Sequence, residues 1–233
     1  CKKKNIKIIE DTSESLGSKI GKKIVGTFGD INVTSIRSEK MIGVGEGAVI
    51  STNNLKIFNN ISLLASRAAP FRKAKDPYWK KYYVVGEGYN YLMPHLLGSV
   101  ARGQIERFGK ELLKKKVEVG KNYINILNKK NYMFGQKLIK KSKPVFWLNS
   151  ILFNNLNKKK VRKLGEALKK NGIEVRSGFW PLNLLKSFRS VYLTKKNITQ
   201  RIFDRILILP SSYDLKKKDI NYIVRKISEF QNK

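Results

Sequence analysis

Apolar residues at helical spacing, Phe108, Leu112, Val119, Tyr123, Ile124 and Leu127, mark one face of a long helix that runs onward from Ile105. A stripe of that length must lie against packed partners, and the patterns on its two sides differ. The helix at 105–130 is therefore read as a link between a first domain, 1–104, and a second, 131–233.

In the first domain, residues 5–11 form a short β-rich run ending in two carboxylates, Glu10 and Asp11, and residues 30–36 form another that ends around Ser35. Gly45-Glu46-Gly47 makes a turn, 48–52 reads as a third strand, and Leu55, Phe58, Ile61, Leu64 and Ala65 follow at helical spacing. The segment 67–85 is polar, aromatic and proline-bearing, as expected of an excursion over the surface or toward a neighbouring subunit. The second domain is patterned as α+β. It has strands at 145–153, 173–180 and 206–209, a helix at 161–170 closed by Asn171-Gly172, and a final helix at 219–230.

Net charge enters as a test of partner class. A balance of +32 raises nucleic acid as a ligand. Yet of the 49 basic residues 11 are Arg, leaving 38 Lys, whereas base edges and phosphate forks favour Arg. The lysine runs at 2–4, 114–116, 158–160 and 216–218 are also scattered, so no nucleic-acid partner is expected. The single cysteine, Cys1, excludes a disulfide framework, no paired Cys or His builds a metal site, and a reducing cytoplasm is the expected location. No apolar run has the length of a membrane span. The chain opens on Cys1 and runs almost at once into a strand, so the expectation is a fold missing its N-terminal part.

In open α/β sheets ligands collect at the carboxyl ends of strands, which places Asp11, Ser35 and Lys40 where a site forms. Taken singly each has an ordinary role: Asp11 caps a helix, Ser35 ends a strand, Lys40 is solvated.

Together they resemble something specific. Ile9-Glu10-Asp11-Thr12-Ser13-Glu14-Ser15-Leu16-Gly17, Gly26-Thr27-Phe28-Gly29-Asp30, Ser35 with Lys40 five positions on, and Gly45-Glu46-Gly47 are similar to the signature of the DegT-type nucleotide-sugar aminotransferases. The likeness continues through Gly88-Tyr89-Asn90-Tyr91, Gln104-Ile105-Glu106, the run from Asn171 to Arg176, Pro181-Leu182 and the run from Leu207 to Pro210. It thus spans essentially the whole chain.

The resemblance implies an α/β fold, that of the pyridoxal-phosphate-dependent transferases of the aspartate-aminotransferase type (fold type I). The chain would carry the C-terminal part of the large domain and the small α+β C-terminal domain. It implies pyridoxal 5'-phosphate as cofactor, an electron sink through which an amine is exchanged. Lys40 matches the lysine that forms the Schiff base and then moves a proton. Asp11 matches the carboxylate against the pyridine nitrogen, Ser35 the hydroxyl on the cofactor phosphate, and Glu14 the residue near the ring hydroxyl. Asn90 matches an amide that reaches the partner subunit's phosphate, implying a homodimer with shared sites.

The substrate implied is a nucleotide-linked 4-keto-6-deoxy sugar, aminated from glutamate as in the perosamine-type and legionaminic-pathway members, for surface polysaccharide synthesis. Arg176 is a candidate for donor or sugar recognition, and Asn183, standing where the family commonly has His, is a second substrate candidate. Core packing is the ordinary role for Trp147 and Trp180 and is favoured for Trp147, and His95 is read as a surface or packing residue. Other departures from the family pattern are Ile36 for Phe, Glu39 for Asn and Leu92 for Arg. The part expected to be missing would supply a Gly-Ser/Thr phosphate turn and a ring-stacking aromatic, so weak or no transamination is expected of the chain by itself. The alternatives are a non-catalytic remnant or regulatory homologue keeping the fold, and a basic nucleic-acid-binding protein.

Overall fold

The carboxylate-tipped run near the N-terminus forms β1 (Ile9–Asp11), shorter than the expected 5–11. Its front half is turned out of the strand: Asn5 has a left-handed φ of 51°, and the Ile8 N–H is accepted by the Asp30 carboxylate at 2.9 Å instead of by a strand. The computed structural model describes residues 1–70, 80, 82–188 and 198–232, which cluster into two units, Cys1–Lys110 and Glu111–Lys233. Of the excursion at 67–85, residues 71–79 and 81 lie outside the described residues.

In the first unit a hairpin, β2 (Lys19–Ile20) and β3 (Lys23–Ile24), turns through Gly21 at φ 61°. β4 (Ile31–Ser35) lies between β1, to which it is parallel, and β5 (Ala48–Ser51), to which it is antiparallel. The parallel register pairs Asp11 with Val33, so the chain leaves β1 and β4 at the same end of the sheet. α1 (Leu55–Ala65) starts where Asn54 accepts the Ile57 N–H at 3.1 Å. Its apolar face is open: Leu55, Phe58 and Leu64 are exposed, and the helix buries none of its residues. α2 (His95–Arg107) begins well before the expected Ile105, with the exposed His95 as its first residue. A small core joins Ile36, Ile42, Val44 and Ala101, with Leu16, Met93, Leu97 and Phe108 packed against it.

After a π-helical turn (Phe108–Leu112) comes α3 (Leu113–Leu127). The apolar face expected of one connecting helix is therefore divided, because its residues serve two cores. Phe108 packs in the first unit, while Val119, Tyr123 and Leu127 belong to the core of the second. Segment 105–130 accordingly forms no third body.

The second unit is built on an antiparallel sheet in the order β6 (Met133–Phe134), β8 (Asn149–Phe153), β10 (Ile206–Leu209), β9 (Arg176–Ser177), with β7 (Ser142–Lys143) outside it. Alternation in β8 sends Asn149, Ile151 and Phe153 inward. Against this face pack α3, α4 (Lys158–Lys170) and α6 (Lys217–Gln231), through Val161, Leu164, Leu168, Ile220, Ile223, Val224 and Ile227. Each fully buried aliphatic there contributes about 1.5–3 kcal/mol. Asn157 caps α4 at the Lys160 N–H, and Gly172 at φ 73° closes it, as the Asn171-Gly172 signal predicts. α5 (Ile198–Phe203) is a short helix.

The strand expected at 145–153 starts only at Asn149, because Phe146 sits at φ 55° and breaks the extended run. The one expected at 173–180 shrinks to Arg176–Ser177: Gly178 lies so close on Ile206 that a Cβ would overlap it, and Phe179 and Trp180 turn outward. Among the described residues no helix is long and apolar enough to cross a membrane.

Candidate active site

The polar residues at the ends of β1 and β4 are tied together by short-range chemistry. Thr12, 2% exposed, follows Asp11 and anchors the end of β1 to β4, its N–H donating to the Val33 carbonyl at 2.8 Å. Its hydroxyl lies 2.7 Å from Asn32 Oδ1 and 2.7 Å from the Thr34 hydroxyl. With the backbone so fixed, Asp11 Oδ1 accepts the Ser13 N–H at 3.0 Å. The Ser13 hydroxyl then accepts the Ser35 N–H at 3.1 Å, joining the two strand ends. Ser35 Oγ accepts the Arg37 N–H at 3.3 Å.

Lys40 reaches the same group. Its Nζ donates to Glu14 Oε1 at 3.2 Å, and its side chain is 11% exposed against 54% for Glu14. The Ser13 hydroxyl and backbone N–H hold the Asp11 carboxyl below the usual carboxylate value; burial works against them, and the Lys40 charge adds to the lowering. The structure thus brings Asp11, Glu14, Ser35 and Lys40 together around Ser13. Sequence reading assigned Ser13 no role, although the Asp-x-Ser spacing of Asp11-Thr12-Ser13 is itself a turn signal.

Lys40 rides on a loop rather than on a strand. Ile36 N–H donates to the Gly47 carbonyl and Ser38 N–H to that of Gly45, each at 3.0 Å, and both glycines take positive φ. On the other face of β1, Glu10 accepts the N–H groups of Gly26, Phe28 and Gly29 at 2.8, 2.6 and 2.6 Å. Burial raises the Glu10 pKa. Those three donors and the Lys23 charge together overcome it and set the net value below the usual one. The Gly26-Thr27-Phe28-Gly29 motif is therefore a loop held by the neighbour of Asp11.

The remaining candidates stand apart from this group. Asn90 is exposed, with its backbone bridged to Ser66, between the stacked rings of Tyr89 and Tyr91, whose centroids are 5.0 Å apart. Leu92, where the family has Arg, lines an apolar cleft of about 570 Å³ with Ile50, Phe58 and Ile61. In the second unit Arg176 is exposed, 3.5 Å from Glu174, on a groove of about 1080 Å³ shared with Lys158, Arg162, Trp180 and Phe203. Asn183 Nδ2 is buried and has no hydrogen-bond partner among the described residues. Trp147 is half-buried, 6.3 Å from the Phe179 ring, as packing predicts. Trp180 is 58% exposed and lies 4.9 Å from Phe203, so it is not a core residue; the short β9 leaves it beyond the sheet.

Residues 1–228 match the model of the DegT/DnrJ/EryC1/StrS aminotransferase family. The chain is 30% identical over 233 residues to GDP-perosamine synthase of Escherichia coli O157:H7, covering 99% of this chain and 60% of that protein. Helicobacter pylori PseC, an aminotransferase involved in the biosynthesis of pseudoaminic acid, superposes with a TM-score of 0.85 at 20% identity, over 99% of this chain and 61% of that one. The PLP form of a sugar aminotransferase from Streptococcus pneumoniae does so at 0.84 and 17%, over 97% and 58%. The fold is that of these aminotransferases, and the chain spans about 60% of the length of the curated relatives it matches.

Proposed function

The chain belongs to the DegT/DnrJ/EryC1/StrS aminotransferase family, and from that premise we propose that it serves the transfer of an amino group from glutamate to a nucleotide-linked 4-keto-6-deoxy sugar, with pyridoxal 5'-phosphate as cofactor. The observation that carries the reading is Lys40: an amine with an 11% exposed side chain, 3.2 Å from the Glu14 carboxylate, at the shared end of two parallel strands. The likeness to GDP-perosamine synthase supports a nucleotide-linked sugar; its use in surface polysaccharide and a cytoplasmic location are part of the proposal.

The residues present fit the cofactor by their chemistry. Lys40 offers an amine for its aldehyde, Asp11 an ionised carboxylate for its ring nitrogen, and Ser35 a hydroxyl whose proton is left to donate to phosphate, since its oxygen already accepts the Arg37 N–H. When bound, pyridoxal phosphate would supply the electron sink and carry the amino group. Asp11, anchored through Ser13 and Thr12, would keep a negative charge fixed where a protonated ring nitrogen needs it. Glu14 orients Nζ of Lys40 while that amine is charged, and Nζ in its neutral form is the group that would move the substrate proton.

In the proposed homodimer Asn90 would reach the cofactor phosphate of the partner. Its support is the exposed apolar run around it, Tyr82, Tyr83, Val84, Val85, Tyr89 and Tyr91, which is more apolar surface than a solvated segment normally shows. Arg176 and Asn183 are the residues proposed to meet donor or sugar; the buried Asn183 Nδ2, without a hydrogen-bond partner among the described residues, supports a polar ligand there.

With 38 lysines in the chain, pyridoxal phosphate labels unspecifically unless one amine is set apart. Trapping with borohydride followed by peptide mapping is expected to find Lys40 modified at least tenfold above the mean of the other lysines. Lys40→Ala should abolish that excess alone. Even labelling across the lysines would remove the reading.

A further inference from the structure

One polar residue interrupts the face of α2 that packs on the lysine loop. Leu97, Ala101 and Phe108 belong to the cluster formed with Ile36, Ile42 and Val44, and Gln104 falls on the same helical stripe between Ala101 and Phe108. Its amide closes on both backbone groups of one loop residue: Oε1 accepts the Gly43 N–H at 3.0 Å, and Nε2 donates to the Gly43 carbonyl at 2.5 Å. Gly43 in turn is seated so tightly on Ser38 that a Cβ there would overlap the Ser38 carbonyl. Lys40 stands between these two residues, in a turn closed by its own N–H on the Arg37 carbonyl at 2.9 Å.

Strand pairing with β5 ends at Ser35, and beyond it the Ile36, Ser38 and Val44 N–H groups bond the carbonyls of Gly47, Gly45 and Ile36, which closes the root of the loop without engaging Gly43. The apolar anchors Ile36, Ile42 and Val44 hold it down but are non-directional. The paired amide bonds are directional and fix Gly43 in both position and tilt.

We propose that Gln104 is a positioning residue for Lys40: by gripping Gly43 on both sides it sets where the Lys40 amine stands relative to Glu14 and Asp11. This deepens the reading of Lys40 as the reactive amine and rests on it. Gln104 touches none of the reacting groups and acts through the loop.

The test reads the amine rather than turnover. Reductive methylation with formaldehyde and cyanoborohydride, quantified lysine by lysine by mass spectrometry, reports how firmly the 11% exposed Lys40 side chain is held against Glu14 and away from the reagent. Gln104→Met keeps length and packing while removing both bonds. It is expected to speed Lys40 methylation at pH 8 at least threefold, with the other lysines unchanged. Gln104→Glu can still accept the Gly43 N–H but cannot donate to its carbonyl, and should fall between the two. An unaltered Lys40 methylation rate in both variants, or acceleration at all lysines alike, overturns the proposal. Failure of wild-type Lys40 to take up pyridoxal phosphate would count against the functional reading instead, and is measured separately.

Discussion

Lys116 is the buried charge that the proposed chemistry does not use, and it offers a quantitative check on the second unit. It is 7% exposed on α3, and its amine donates to the carbonyl of Ser211. Burial lowers its pKa from the ordinary 10.5 to about 8. At roughly 1.4 kcal/mol for each factor of ten in the protonation equilibrium, holding the ammonium there costs about 3 kcal/mol. Below pH 8 the amine is charged in both the folded and unfolded chain, and the folded state bears the whole cost. Between about 8 and 10.5 the folded state has released the proton and the unfolded state has not, so stability rises with pH. Lys116→Met relieves the charge but leaves the Ser211 carbonyl without its donor, a loss of roughly 1–2 kcal/mol. The variant should therefore be about 1–2 kcal/mol more stable than wild type at pH 7. That advantage should be abolished, through a change of about 2.5 kcal/mol, as the wild type deprotonates toward pH 10. Urea unfolding at half-unit pH intervals, stopped at pH 10, measures the difference. The limit matters because burial and the Asp219 charge raise the Tyr123 pKa, and ionisation of that phenol would destabilise the fold at higher pH. Parallel stability curves for the two proteins across pH 7–10 would refute the reasoning.

Two further substitutions test local packing and the frame around Asp11. Gly120→Ala should gain roughly 1 kcal/mol of helix propensity, yet its Cβ would overlap the Phe146 ring; a net loss of about 1–3 kcal/mol in urea unfolding is expected, and a net gain would show that Phe146 yields freely. Glu10→Gln keeps an oxygen for the Phe28 and Gly29 N–H groups but sets an NH2 against the Gly26 N–H, so it should cost about 1–2 kcal/mol and release the Gly26 amide above all to hydrogen exchange. Because the folded pKa of Glu10 is lowered, wild-type protection of those amides should persist above about pH 4.5 and fade below it, whereas the variant should show no such dependence.

Position at strand ends singled out Asp11, Ser35 and Lys40 as candidates, the family resemblance added Glu14 and the proposed roles, and the structure brings the four side by side. Asp11 and Glu14 lie three residues apart, Ser35 and Lys40 five, and two strand ends suffice to bring the pairs together. Ser13 and Gln104 were not legible in the same way. Each takes its part from a partner 22 or 61 residues distant, and nothing in the local pattern states which backbone group a hydroxyl or amide will meet. The helix ends at Asn157 and Gly172 were readable because capping is satisfied within one turn. The start of α2 was missed because its first turn has no side-chain cap.

By itself the chain's order of residues determined the α/β character of the first region and the α+β character of the second, and it set Asp11 and Ser35 at the ends of strands. Those depend on periodicity and on side-chain chemistry, which are local. Tertiary structure alone decided that the long apolar stripe would be divided between two cores, that Phe146 would leave the strand, and that Gly43 of the lysine loop would be gripped by an amide from α2. These outcomes turn on which surfaces meet across long separations, and that is settled by close packing and by pairing of buried polar groups rather than by any residue's own preference.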